Sequence, residues 1–210
     1  MDRWLESRGL RVADLMRTAG ARVAEAAEAM ARERGLSRAV FLVGPGNNGG
    51  DALVAERLLR GRLDTLAWQP LPRAPDADGL AGADRDTPPR LVTQPPPLDA
   101  RTLLVDGLFG VGLARPLAGA ARAAVEHVNA SPAVVLAIDV PSGLSATTGE
   151  VVGGPAGCAV RAQATLTFVG PKAGFFRGDG PAHVGAWRVA DLGFPPAEAE
   201  AWVRARRARG

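Results

Sequence analysis

Four short segments of the chain combine glycine with residues able to bind or react. They are Gly44-Pro45-Gly46-Asn47-Asn48-Gly49-Gly50-Asp51, the stretch from Asp106 to Pro116, Asp139-Val140-Pro141-Ser142-Gly143-Leu144, and Gly170-Pro171-Lys172-Ala173-Gly174. Glycines let backbone N–H groups approach an anion closely, above all where a helix begins. Asp, Asn and Ser supply the oxygens that a hard cation prefers, and a carboxyl group can also carry a proton. Gly44 to Gly49 fits G-x-G-x-x-G, the pattern of a dinucleotide-binding turn, and Asp64 follows at a suitable interval. In that fold the acid ends the second strand, whereas Asp64 falls near the start of its strand. The chain has no G-K-[ST], so a Walker A loop is excluded. The competing reading of the first segment is a plain strand-to-helix turn with asparagines in left-handed conformations.

These residues stand out because the background is biased. All but one of the 25 basic residues are arginine, and the exception is Lys172. There is one Ile, no Tyr, and Asn only at 47, 48 and 129. A GC-rich genome produces such a bias, so the exceptions carry information. Two of the Asn adjoin in the first segment, and the lone Lys lies in the last. Lys172 is either a site that arginine cannot serve or an ordinary surface lysine.

Composition sets outer limits. The chain of 210 residues is 47% apolar, enough for one packed domain. A single cysteine, Cys158, excludes an internal disulfide framework and a cysteine-rich zinc site. His127, expected on a helix, and His183, expected in a loop, have no metal-spaced partner. The net charge of +3 includes Arg204, Arg206, Arg207 and Arg209 of an Arg-rich tail (203–210). The body is therefore nearly neutral, and no nucleic-acid partner is expected. No apolar run approaches the roughly 18 residues of a membrane span. The N-terminus lacks a signal peptide's apolar stretch, so a cytoplasmic address is expected.

The segments need a scaffold, and the apolar pattern supplies one. Val12, Leu15, Met16, Ala19, Val23, Ala26, Ala27 and Met30 form one stripe on a helix spanning residues 10 to 34, ended by Gly35. AVFLVG (39–44) is a short continuous apolar run, as in a strand buried on both faces. The first glycine segment follows as a loop, and helical spacing returns over 51–62. Leu63 to Trp68 is the next strand. Strand, glycine loop, helix and strand make a βαβ unit and predict parallel pairing. Residues 69–98 carry eight of the 17 prolines and predict an irregular segment with one short helical turn. Further strands are predicted at 102–106, 134–139, 164–170 and 184–190, with a helix near 117–130. The expected fold is a single three-layer α/β/α Rossmann-like domain over 1–210, with a mostly parallel, doubly wound sheet. Ligands of such sheets gather beyond the carboxyl ends of the strands, where all four segments lie.

The chain resembles the YjeF N-terminal domain family, the NAD(P)H-hydrate epimerases. The likeness is carried by GPGNNGGD, DGLFGVGLARPLAG, AIDVPSGLSATTGEV, TLTFVGPKAG and a late VADLGFP, with LMRTAGARVAEAA resembling the family's first helix. The motifs run in order from about residue 2 to 195. The resemblance implies a potassium ion (K+), one per subunit, and a homodimer. It implies interconversion of the R and S forms of NADHX and NADPHX, nicotinamide cofactors hydrated at ring carbon 6. Asn47, Asn48, Gly49, Gly50 and Asp51 match a substrate-binding loop. Gly110, Val111, Gly112, Leu113, Ala114, Arg115 and Pro116 match a second one. Asn48, Asp106 and Ser142 match the side-chain ligands of potassium. Asp139 matches a substrate-contacting acid.

On this reading the ring nitrogen expels the C6 hydroxyl once an acid protonates it, and water returns to the other face. Asp139 is the candidate acid and base, and Lys172 the candidate cation beside phosphate or the reacting carboxylate. Arg115 is either a phosphate partner or one more surface arginine. Ala52 stands where the family usually has glycine and adds a methyl beside the site. No fused dehydratase is expected, so an ADP- or ATP-dependent dehydratase would be a separate partner. The rival class is a non-catalytic binding or scaffold module on the same fold.

Overall fold

The structure is a computed structural model, and it describes residues 12–73 and 89–193. Seven strands form one sheet: β1 (Arg38–Val43), β2 (Asp64–Trp68), β3 (Leu91–Val92), β4 (Thr102–Gly107), β5 (Val134–Ile138), β6 (Ala164–Phe168) and β7 (Ala186–Ala190). Their order is β3-β2-β1-β4-β5-β6-β7. Every pairing is parallel, so the sheet is wholly rather than mostly parallel. The chain winds outwards from β1 to β3, then returns beside β1 as β4 and winds the other way. A crevice opens where the winding reverses, at the carboxyl ends of β1 and β4.

Apolar runs dictate this sheet. β4 is buried along its whole length, and β1 at every position after Arg38. Only strands covered on both faces read this way. One face is covered by α1 (Val12–Arg34) and α2 (Asn47–Leu59), the other by α3 (Gly119–Ala130). Met16, Ala19, Val23, Ala26, Ala27 and Met30 of the predicted stripe are buried, and Leu15 is half-buried. Gly35 takes φ +65°, the left-handed turn that ends a helix without steric cost. The expectation for residues 10 and 11 lies outside the described residues.

Three expectations are corrected. The first glycine segment is not a loop up to Asp51, because α2 already begins at Asn47. Gly49 N–H and Gly50 N–H both donate to the Gly46 carbonyl, at 3.1 and 3.3 Å, which closes the first turn. Neither Asn47 nor Asn48 is left-handed. The proline-rich segment contains a strand, β3, where only irregular chain was expected; residues 74–88 lie outside the described residues. His183 sits in α4 (Gly180–Val184), a short helix, and not in a loop. It is buried, and Nδ1 lies 2.9 Å from the Val160 carbonyl.

A buried charge fixes α2 against the sheet. Glu56 is fully enclosed, bonded to Arg60 Nη2 at 2.6 Å and accepting from Thr65 Oγ1 of β2 at 2.8 Å. Removing one partner of so deep a pair costs several kcal/mol, so the tilt of α2 is tightly constrained. The N-terminal turn of α2, where Asn47 to Asp51 lie, is thereby held over the crevice. The Arg-rich tail lies outside the described residues. No described helix is long and apolar enough to cross a membrane.

Candidate functional site

Close backbone packing shapes the crevice. A Cβ on Gly44 would stand 1.7 Å from the Leu108 carbonyl oxygen, so only glycine lets the β1 loop lie against the β4 loop. Gly44 N–H donates to the Gly107 carbonyl at 3.1 Å. On the far side, Arg73 Nη1 donates to the carbonyls of Gly44 (2.8 Å) and Gly46 (2.6 Å), holding the loop's shape. Ala52 lies just behind the crevice. Its methyl is fully buried in the core under α2, and a Cβ at Gly107 would stand 2.7 Å from it.

At the end of β4 lies Asp106, with no exposed surface. Its Oδ1 accepts from Ser142 Oγ at 2.7 Å and Leu108 N–H at 3.2 Å; its Oδ2 accepts from Ser142 N–H at 2.8 Å. Ser142 Oγ in turn accepts from Phe109 N–H at 2.8 Å and lies 3.1 Å from the Phe109 carbonyl. Gly143, next to Ser142, has φ +98° and would carry a Cβ 2.2 Å from the Cys158 carbonyl, so the turn that presents Ser142 requires glycine. Asn48 reaches in from α2. Its Nδ2 donates to the Ile138 carbonyl at 2.8 Å, an acceptor that fixes which way the amide points. Its Oδ1 is left beside Gly110, where a Cβ would approach to 2.7 Å.

All the partners of Asp106 are neutral. Burial pushes its carboxyl up to about 6, against the hydrogen bonds from Ser142 and Leu108. A buried carboxylate without a counter-charge, with hydroxyl, amide and peptide oxygens converging beside it, suits a singly charged hard cation. Asn48, Asp106 and Ser142, the predicted ligand set, are thus brought together. Among the described residues no three His, Cys, Asp or Glu side chains cluster, and this set needs no such cluster.

The ends of β5 and β6 form the second half of the site. Asp139 Oδ1 is 2.8 Å from Lys172 Nζ and accepts from Thr167 Oγ1 at 3.0 Å and Phe168 N–H at 3.4 Å. Lys172 also donates to the carbonyls of Phe168 (2.8 Å) and Gly170 (3.2 Å). The two predicted catalytic residues therefore form one ion pair, with Asp139 buried and Lys172 half-buried. Asp139 (φ 64°) and Val169 (φ 67°) are the only non-glycine residues with positive φ among those described. Such backbone is costly, most of all for a β-branched valine. Both kinks flank the Lys172–Asp139 pair. They turn the chain so that Lys172, four residues beyond the end of its strand, folds back onto Asp139.

Asp51 lies one helical turn beyond Asn48 and is also buried. Its carboxyl sits well above the usual range, chiefly through burial and secondly through the charge of Asp139, with Arg73 pulling the other way. Sequence reading placed Asp51 with substrate-binding residues and did not foresee this coupling. It also missed Thr167, which alternation alone marks only as an inward strand position. Gly49 and Gly50 are buried under the helix start, whereas Asn47 is exposed. Val111, Gly112, Ala114, Arg115 and Pro116 form an exposed rim, with Gly110 and Leu113 half-buried. Arg115 therefore faces solvent on that rim. Cys158 is a free, half-buried thiol whose proton is held more tightly because of burial.

Comparison with known proteins covers this whole region. Residues 12–174 match the family described as YjeF-related protein N-terminus. The chain is 43% identical over 165 residues to the NAD(P)H-hydrate epimerase of Bordetella bronchiseptica, spanning 77% of this chain and 72% of that protein. It is 37% identical over 171 residues to the NAD(P)H-hydrate epimerase of Weissella koreensis, spanning 78% and 74%. Against the bifunctional NAD(P)H-hydrate repair enzyme Nnr of Thermofilum pendens it is 37% identical over 209 residues, spanning 91% of this chain but 38% of that protein. The crystal structure of yeast ynu0 shares the fold, with a TM-score of 0.67 at 20% identity over 90% of this chain and 86% of that one.

Proposed function

The chain belongs to the YjeF-related N-terminal family, and from that membership we infer its activity: it is an NAD(P)H-hydrate epimerase, an isomerase that interconverts the R and S forms of NAD(P)HX. The observation that carries this is the family match over residues 12–174, which includes every residue of the site. The bifunctional relatives are named for a wider hydrate repair, of which this chain spans little more than a third. We propose that a separate ADP- or ATP-dependent dehydratase consumes the S epimer, and that the enzyme works as a cytoplasmic homodimer.

Asn48, Asp106 and Ser142 would hold one potassium ion per subunit. When bound, that ion supplies a fixed positive charge that offsets Asp106 and ties the β4 and β5 loops to α2. The rest of the work falls to the chain's own residues. Asn47 to Asp51, at the start of α2, and the rim from Gly110 to Pro116 bind the substrate between them. Backbone N–H groups at a helix start suit its phosphates, and the exposed Arg115 on the rim would pair with one.

Asp139 performs the chemistry at carbon 6. Its Oδ1 is taken up by Lys172 and Thr167, while Oδ2 accepts no hydrogen bond from the described residues. That oxygen carries the proton to and from the C6 hydroxyl. Lys172 fixes the carboxylate's orientation and balances its charge. Positioning contributes further, because a pre-aligned acid replaces a chance encounter with solvent. The test is R-to-S conversion of NADHX, read with an S-specific dehydratase, with and without the protein and with potassium or sodium. Acceleration that requires potassium is expected. No acceleration over the spontaneous rate would overturn the reading.

A further inference from the structure

Asp139 is not the only carboxyl group in the crevice without a full set of partners. Asp51 is 7% exposed, and no hydrogen-bond donor among the described residues reaches its carboxyl. Its oxygens are not among the fully enclosed polar atoms that lack a partner, so they stay open to solvent or a ligand and invite a role. Its position supplies one. Asn48 and Asp51 stand three residues apart on α2 and share a helix face. Asn48 on that face reaches the carbonyl of Ile138, the residue before Asp139. Asp51, one turn further along the same face, is thereby carried towards the end of β5, and the charge of Asp139 is felt at its carboxyl.

The two acids approach from different layers. Asp51 belongs to the helical layer, and Asp139 to the end of a sheet strand. A flat ring bound in the crevice, between the start of α2 and the end of β5, would present one face to each. Their surroundings also differ. Asp139 has a cation at 2.8 Å, whereas the opposing charge that acts on Asp51 is Arg73, which also donates to two loop carbonyls. Paired acids in unlike settings divide into a proton donor and a proton acceptor.

We propose that Asp51 is a second catalytic acid–base group of the epimerisation, serving the ring face opposite to that served by Asp139. The proposal rests on the epimerase reading above. In one direction the Asp51 O–H gives its proton to the C6 hydroxyl oxygen as the C6–O bond breaks. The ring-nitrogen lone pair forms the C6=N bond, and water departs. A water on the other face adds to carbon 6, the C=N pair returns to nitrogen, and Asp139 accepts the proton that this water sheds. One proton leaves Asp51 and one arrives at Asp139, so the enzyme's total is unchanged. The opposite epimer uses the two groups in exchanged roles, and solvent resets them between turnovers.

Oxygen exchange separates this from a positioning role. Each NADHX epimer is prepared with 18O in its C6 hydroxyl, and loss of the label is followed by mass spectrometry beside epimerisation, after subtraction of the enzyme-free rate. The wild type should release label from both epimers. Asp51→Asn should slow epimerisation about 100-fold or more and release label from one epimer only, the one whose hydroxyl faces Asp139. Asp139→Asn should release label from the other. Thermal melting should show Asp51→Asn as stable as the wild type, since no described hydrogen bond is lost; if that variant does not fold, Asp51→Ser is read in the same way. Wild-type epimerisation in the Asp51 variant would overturn the proposal. So would equal loss of exchange from both epimers, or exchange from the same epimer in both variants. A wild type that does not epimerise at all would instead overturn the functional reading.

Discussion

Asp106 and Asp139 are both carboxylates at the carboxyl ends of adjacent strands, both buried, and both bonded to residues of a neighbouring loop. They differ in what faces them. Asp106 is surrounded by neutral donors that occupy both of its oxygens. Asp139 has an ammonium group on one oxygen and leaves the other unbonded. The difference separates holding from reacting. A buried charge answered only by dipoles suits a cation from outside. A buried charge answered by a cation of its own chain, with a free oxygen, can exchange protons while its position stays fixed. One strand spacing thus separates two chemistries that the same residue type performs.

The comparison breaks most readily at Asp139. Asp139→Asn should lower epimerase kcat by about 100-fold or more, with a lowered melting temperature because Lys172 loses its counter-charge. Full turnover in that variant, measured with the coupled dehydratase assay, would remove Asp139 from the chemistry. Next comes its partner. Lys172→Ala leaves Asp139 buried without a cation and should cost about 2 kcal/mol of stability and roughly 10-fold in kcat. Lys172→Arg should recover part of both, because charge returns but the compact ammonium geometry does not. Equal, wild-type behaviour of the two variants would mean that the pair only decorates the loop.

The Asp106 side is sharpened by pH. Folding raises this carboxyl from 3.8 to about 6, so the native state binds the proton more tightly than the unfolded chain. The associated stability is complete below about pH 4 and is lost as pH rises through about 6. In potassium-free buffer, unfolding free energy should therefore fall by roughly 3 kcal/mol between those limits. Asp106→Asn should flatten that slope, and potassium at neutral pH should raise the melting temperature of the wild type but not of the variant. The smallest effect belongs to Val169. Val169→Gly relieves a left-handed valine whose side chain is largely exposed, and should stabilise the protein by about 1 kcal/mol. If kcat falls as stability rises, the strain serves to hold Lys172 in place; if kcat is unchanged, the kink is incidental.

Much of this arrangement is legible in the residues. Strand boundaries follow from apolar runs to within one or two positions, because strands buried on both faces leave little ambiguity. The polar residues fall after them, where a parallel sheet gathers its ligands. What escapes notice does so for physical reasons. The start of α2 reads as loop because glycine is a poor helix former, yet Gly49 is required there: a Cβ would meet the Gly44 carbonyl oxygen at 2.0 Å. Tertiary contact overrides propensity at that point. β3 is two residues long and lies among prolines, so no periodicity announces it. Thr167 and Asp51 have ordinary local patterns, and their roles depend on Asp139, which is remote in sequence from both.

The left-handed backbone at Asp139 also bears on how the protein can change over generations. Aspartate, asparagine and glycine are the residues that tolerate this conformation best. A single base change turns an aspartate codon into one for asparagine or glycine. The substitutions expected to silence the reaction are thus the ones the backbone accepts most easily. A lineage relieved of the need to mend its cofactors could lose catalysis at this position in one step and keep the folded scaffold intact, free to be put to another use.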